Sequence, residues 1–357
     1  MSILIIIVSL FVLIFLHELG HFIFAKRYGV KVEEFGLGIP PRLYGKKIGE
    51  TIYSINWLPL GGFVKLYGED RKIDDERSFS SKPIYQRAII LFAGIAAFFV
   101  IAFLIFSVLA AVGHRASVPE EKVIEEDLYG QVDITTTGIA PGSPAAEAGI
   151  EVGDVLVAID GQVVEKPRKV RAMMEERKGE ETELTVVRGG ESVNISLIPR
   201  EDPPEGEGAV GIVMDLTTEK RYPLYLAPIR GAVMTGETAL FTVRSFGFLL
   251  SSFFTETSTL DIIGGPVAIV SIGAGSVTAG LSWFLHFIGT ITVIFAIFNL
   301  FPIPALDGGR LFILAIEKIK GGPIPEKTEV GMIAISMIIL LGVMAIVTYS
   351  DIMKMWF

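Results

Sequence analysis

The chain has 357 residues, a formal net charge of −9, 51% hydrophobic residues and no cysteine. It is too apolar for an ordinary water-soluble protein, yet its middle section is charged, so the composition predicts membrane spans plus an aqueous domain. The missing cysteines exclude disulfides and thiolate metal sites, and the acidic balance gives no support to nucleic-acid binding.

From Ile3 to Leu16 the chain is almost wholly apolar, and this run ends on His17-Glu18-Leu19-Gly20-His21. Residues four apart share a helix face, so His17 and His21 can present two imidazoles to one metal ion. Glu18 can reach a water bound there and take its proton, since zinc lowers the pKa of such a water to about 7. A charged side chain at mid-bilayer costs roughly 2.5–3.5 kcal/mol on insertion scales, so a His-Glu-His set within a span reads as functional. The run lacks the basic start of a signal peptide and carries the chemistry, so it is expected to be retained.

Residues 2–25, 88–112, 281–316 and 330–349 each supply the ~20 residues a bilayer core requires, the third being long and broken by prolines. Lys and Arg crowd the loop between the first two spans, from Lys26 to Arg87, and Lys318, Lys320 and Lys327 precede the last. Both loops are therefore expected to be cytoplasmic, with the N-terminus, the acidic middle section and the C-terminus outside.

In the first loop, glycines and prolines at 36–41 read as turns, while 51–56 and 61–67 alternate like strands. Gly62, Phe63, Val64, Lys65 and Leu66 form a candidate edge strand near the active site, where an extended substrate could add by main-chain hydrogen bonds. Residues 70–77 read as a charged connector. The pattern from 113 to about 200 is soluble α/β. Strands are expected at 131–137, 152–159, 182–187 and 192–198, with a short helix after Gly142, a charged helix at 166–177 and a hairpin turn at Gly189-Gly190. Through its SPAAEAG and GDVLVAIDG stretches, the segment 127–200 resembles a PDZ domain of the bacterial protease type. The resemblance would set Thr137-Gly138-Ile139-Ala140 beside a peptide groove. Residues 201–208 read as a linker and 223–259 as an amphipathic segment on the outer surface.

Two histidines need a third protein ligand, leaving one position for water. His114 and His286 fall at the outer ends of the second and third spans. His286 lies about 30 Å from Asp307 if the stretch between them is helical. Both read as ordinary interfacial or packed histidines. Asp307 falls at about the depth of His17 and His21, an acid in an apolar setting that needs a partner. Around it runs Asn299-Leu300-Phe301-Pro302-Ile303-Pro304-Ala305-Leu306-Asp307-Gly308-Gly309-Arg310. Its prolines and glycines interrupt a helix, which at membrane depth is tolerated only inside protein or beside a wet cavity.

HELGH in the first span and NLFPIPALDGG in the third, in that order, resemble the signature motifs of the site-2 protease family, the intramembrane zinc metalloproteases. The resemblance covers nearly the whole chain. It implies His17, His21 and Asp307 as Zn2+ ligands and Glu18 as catalytic general acid/base. It further implies that Asn299, Pro302 and Pro304 help to hold substrate backbone. The nearer likeness is to bacterial regulators of the envelope stress response, which often carry two tandem PDZ domains where this chain shows one.

The expected fold is a polytopic α-helical membrane protein of about four transmembrane helices, with a membrane-associated β region and an extracytoplasmic α/β PDZ domain. Its divisions are a membrane core at 1–112, the PDZ domain at 113–202, a linker and amphipathic surface segment at 203–277, and a second membrane core at 278–357. The expected activity is zinc-dependent endopeptidase cleavage of transmembrane segments in the bacterial inner membrane, with the active site toward the cytoplasm. Substrates would be single-span proteins already cut outside, resembling anti-sigma factors or signal-peptide remnants, with a peptide or C-terminus at the PDZ groove. The alternatives are an inactive PDZ scaffold and a metal-ion transporter. The transporter would require polar residues along the second and fourth spans, which offer almost none.

Overall fold

Apolar residues on every side of a helix suit lipid as solvent, and among the described residues the computed structural model has four helices long and apolar enough to cross a membrane. They are α1 (Ser2–Arg27), α2 (Ile84–Val112), α7 (Leu281–Asn299) and α9 (Glu326–Trp356). Ile3, Leu4 and Val8 of α1, and Ile338, Leu341 and Val343 of α9, point away from the protein. The structure describes residues 1–69, 73–117, 132–204, 207–252 and 264–356. Outside it fall residues 70–72 of the connector, 127–131 of the PDZ-like stretch, 205–206 of the linker and 253–259 of the amphipathic segment.

The helices meet through small residues. A side chain at Gly20 of α1 would come within 2.5 Å of the Ala93 carbonyl of α2. At Gly289 of α7, a side chain would meet the ring of Phe106 of α2 at 2.7 Å. Glycine at these points lets backbones and rings approach closely, which is how helices pack when lipid removes the hydrophobic drive between them.

At the N-terminal end of α2 sits a β region made of β1 (Val32–Ile48) and β2 (Thr51–Leu66). Its register is folded back on itself. Gly36 pairs with Phe63 on one side and with Ser54 on the other, and Gly45 also pairs with Ser54. The lateral order is therefore 62–66, 32–37, 51–56, 42–48, so 62–66 is an edge with one strand neighbour among the described residues. The strand expectation for 51–56 and 61–67 holds. The glycines and prolines at 36–41 lie within β1 rather than in separate turns.

At the other end of α2 a seven-stranded sheet runs in the order β3-β9-β4-β5-β7-β8, with β6 paired to β5. Its strands are β3 (His114–Ser117), β4 (Val132–Ile139), β5 (Val155–Ile159), β6 (Gln162–Val163), β7 (Thr182–Arg188), β8 (Glu191–Leu197) and β9 (Ile212–Lys220). Helices α3 (Pro144–Glu147) and α4 (Pro167–Glu176) cover it, burying Ala145, Val170, Met173 and Met174 with Ile134, Leu156, Leu184 and Ile195. The boundary expected at 202 is corrected by β9. It pairs antiparallel with both β3 and β4, so the sheet extends to Lys220 and 209–220 is not linker.

The expectation of a surface-lying segment at 223–259 is also corrected. Helix α5 (Ala227–Ser252) lies along α2 and α7. Gly231 abuts Ser107 near one end of α2, and Phe246 packs against Phe298 and Phe301 at the far end of α7. Its threonines fit there because Thr235 and Thr242 donate their hydroxyls back to the carbonyls of Gly231 and Thr238, each at 2.7 Å. Helix α6 (Pro266–Thr278) follows, with Gly273 against Ile6 of α1 and Phe287 of α7. The third apolar stretch is two helices, not one. α7 stops at Asn299, and α8 (Asp307–Lys320) starts after a turn containing Pro302 and Pro304, which cannot donate helical hydrogen bonds.

Candidate metal centre

His17 and His21 lie one turn apart on the face of α1 that packs against α2, each less than 10% exposed. Asp307 reaches them from the first position of α8. The His17 and His21 Nε2 atoms are 3.3 Å apart, and Asp307 Oδ2 is 3.3 Å from the first and 3.2 Å from the second. The His21 Nδ1–H donates to the Ile90 carbonyl of α2 at 2.9 Å. A carbonyl only accepts, so in the neutral ring this bond leaves the Nε2 lone pair facing the other two ligand atoms. The His17 ring stacks on Phe98 with centroids 4.5 Å apart.

These side chains fit a zinc ion. Two imidazole nitrogens and a carboxylate oxygen converge on one point, the donor types that zinc takes. Four-coordinate zinc with bonds of about 2.0–2.1 Å sets its ligand atoms about 3.3 Å apart, which matches all three separations. Among the described residues, this is the one group of His, Asp and Glu side chains close enough to hold a metal ion.

Three glycines make the convergence possible: Gly308 and Gly309 stand in the motif around Asp307, and Gly94 stands in none. A side chain at Gly94 of α2 would come within 2.2 Å of His21 Nε2 and 2.7 Å of His17 Cε1. One at Gly308 would lie 2.3 Å from the Leu300 carbonyl oxygen, and one at Gly309 2.0 Å from that of Ile303. The turn carrying the two prolines thus rests directly on the first turn of α8. Gly94 has a signal in the sequence, an isolated glycine in an apolar helix, but its meaning depends on what lies opposite.

Glu18 is half-buried beside the cluster, and its Cγ lies 3.1 Å from where a side chain at Gly62 would begin. The edge strand carrying Gly62, Phe63, Val64, Lys65 and Leu66 therefore starts against Glu18. Asn299 donates its amide N–H to the Phe295 carbonyl at 3.0 Å, turning that group onto its own helix. Pro302 is exposed and Pro304 half-buried in the turn before Asp307. His114 and His286 do not join the centre. They line a cavity of about 260 Å³ between the seven-stranded sheet and the start of α7, with Arg115, Asp215, Thr217 and Trp283. Burial, and the neighbouring His286 and Lys220, push the His114 imidazole down to about 4.

A family model described as Peptidase family M50 matches residues 5–343. A Clostridium perfringens protein named "putative zinc metalloprotease" is 36% identical over 340 residues, which is 95% of each chain. A Nostoc protein named in the same words is 32% identical, over 96% of this chain and 93% of its own. The regulator of sigma-W protease RasP of Bacillus subtilis is 27% identical over 96% of each chain. Matched by the family model along nearly its whole length, and bringing together the two motifs that the resemblance rests on, the chain belongs to peptidase family M50, the site-2 proteases.

Proposed function

We propose that this protein is a zinc-dependent intramembrane endopeptidase in which His17, His21 and Asp307 hold the metal and Glu18 is the general acid/base. The observation that carries the reading is the triangle of ligand atoms 3.2–3.3 Å on a side, formed among helices of a membrane protein. The names of the relatives, zinc metalloproteases and a regulator of sigma-W protease, support the same metal and class of reaction.

When bound, zinc supplies Lewis acidity toward the scissile carbonyl and lowers the pKa of a water to about 7. Glu18 takes the proton from the attacking water and returns it to the leaving amine. A carbonyl inside a substrate helix is already hydrogen-bonded and shielded, so the substrate is cut as an extended strand. The free edge of 62–66 offers main-chain partners for such a strand, and Gly62 brings that edge against Glu18. The side chain that a residue other than glycine would place there would crowd the base.

The sheet of residues 114–220 is a PDZ domain with one groove, facing outside, and the active site lies toward the cytoplasm of the bacterial inner membrane. Support comes from the basic first loop and from the sheet and the β region sitting at opposite ends of α2. Substrates are single-span proteins already trimmed outside, of the anti-sigma-factor or signal-peptide-remnant kind, screened by this domain. Asn299, Pro302 and Pro304 shape the backbone path next to Asp307.

Metal content and cleavage of a single-span substrate with a trimmed outer end, both measured on purified protein, test the reading. Wild type should hold about one zinc and cut within the span, Glu18→Gln should hold zinc without cutting, and Asp307→Ala should lose zinc. Cleavage by Glu18→Gln near the wild-type rate would remove Glu18 as the base. Zinc and activity retained in Asp307→Ala would remove Asp307 from the ligand set.

A further inference from the structure

Arg310 and Glu69 form an ion pair that joins the two parts of the site which no helix connects. Arg310 stands three residues after Asp307 on α8, within one turn of the metal-facing carboxylate. Glu69 follows the edge strand and accepts the backbone N–H of Leu66, the last residue of β2, at 3.2 Å through Oε2. Its other oxygen, Oε1, takes Arg310 Nη1. The Glu69 side chain is 15% exposed and that of Arg310 28%, so the pair is well shielded from bulk screening. A continuous path therefore runs from Asp307 along one turn of α8 to Arg310, across to Glu69, and into the backbone of the strand that ends at Leu66.

The other end of α8 is held separately. Arg87 Nη1 of α2 donates to Glu317 Oε2 at 3.0 Å, and Glu317 Oε1 accepts the N–H of Ile324 beyond the helix. Glu317 fixes the C-terminal end of α8 to α2, and Arg310 ties the end carrying Asp307 to the β region. A small cavity of about 50 Å³ lies at this junction, lined by Glu69, Arg87, Arg310 and the first turn of α9 with Glu326 and Glu329.

The geometry points to Glu69 and Arg310 as a positioning pair for peptide hydrolysis, setting the distance and register between the edge strand 62–66 and Asp307. Neither residue is one of the three side chains that converge at the metal centre. Their effect is on where a strand-bound carbonyl falls relative to the metal, and a misplacement of 1 Å in such a geometry costs about 10²-fold in rate. This inference rests on the proposed reading of the edge strand and the metal centre.

The test compares wild type, Glu18→Gln, Glu69→Gln, Arg310→Gln and the charge-conserving Arg310→Lys, measuring zinc, kcat and KM on the trimmed single-span substrate. Glutamine at 69 still accepts the Leu66 N–H, so that variant removes the ion pair while leaving the strand end tied. Expected are full zinc, kcat down about 10- to 100-fold in Glu69→Gln and Arg310→Gln, and recovery to within about threefold of wild type in Arg310→Lys. Glu69→Gln or Arg310→Gln at the wild-type kcat would overturn the pair, as would an Arg310→Lys no better than Arg310→Gln. Loss of zinc in step with activity would overturn it too, showing a structural role in the metal centre instead. If wild type itself neither binds zinc nor cuts, the proposed function fails and the pair with it. Wild type cutting, Glu18→Gln inactive and Glu69→Gln unaffected would leave the function standing and dismiss the pair alone.

Discussion

At the scale of single residues, the site depends as much on absent side chains as on present ones. His21 is oriented by the Ile90 carbonyl and His17 by the face of Phe98, both on α2, but α2 can come that close only because position 94 has no Cβ. Gly94→Ala is expected to push both rings off the triangle, losing most of the bound zinc and about 10²-fold or more in cleavage. Metal analysis of the purified variant beside wild type checks this. Full zinc would mean that α2 shifts away without disturbing the ligands. Gly308 and Gly309 do the same for Asp307. The carbonyls of Leu300 and Ile303 occupy the space where their side chains would be, so Asp307 is delivered by a turn laid on its own helix. His17, Glu18 and His21 were legible in the sequence through their spacing on an apolar helix. Gly94 was not, because a lone glycine in a span says nothing of its neighbour across the interface.

At the scale of elements, the β region shows how a local pattern understates a fold. Alternation at 51–56 and 61–67 reads as two short strands. The same residues take part in one sheet of four laterally paired segments, because 32–37 inserts between them. Its closing turn is fastened to the end of α1. Glu50 accepts Lys26 Nζ at 2.6 Å and also pairs with Arg77, and these two hydrogen bonds hold its carboxyl down to about 2 from the usual 4.5. A depressed carboxylate stabilises the folded state above its unfolded value and loses that contribution as pH falls through its folded one. Thermal stability should therefore fall between pH 4.5 and about 2, with a shallower fall in Glu50→Gln. A melting series of both proteins in one detergent over that range measures the difference. Equal slopes would show that the turn is held by other contacts. Because Glu50 is about one-third exposed, the effect should also shrink with added salt.

At the scale of the whole molecule, α6 and α9 are joined through one buried acid. Asp351 accepts the N–H groups of Gly265 and Ala268 at 3.1 and 3.0 Å, closing the first turn of α6, which has no side-chain cap of its own. Asp351→Ala leaves those donors without this acceptor and should cost about 0.5–2 kcal/mol, as loss of a helix cap does. Since neither helix contributes a ligand, zinc content should stay at the wild-type level while the melting temperature drops. Loss of zinc would show that α6 and α9 support the centre after all.

By itself the sequence determined the apolar spans, the mixed membrane and aqueous character, and the placing of His17 and His21 one turn apart on one helix face. Each follows from periodicity or composition within one stretch, where neighbours in the chain are neighbours in space. It also marked Asp307, since an acid in an apolar run demands a partner. What only the tertiary structure decided is which atoms meet: the approach of α8 to α1, the glycine at 94, the edge position of 62–66 and the tie from Glu69 to Arg310. The same holds for β9, whose membership of the sheet depends on pairing with β4 and β3, far away in sequence. So too for α5, whose threonines make it look like a surface segment until their hydroxyls turn back onto the helix carbonyls. Contacts between distant segments are set by packing and hydrogen bonding across helices and strands, and no local pattern of residue types records them.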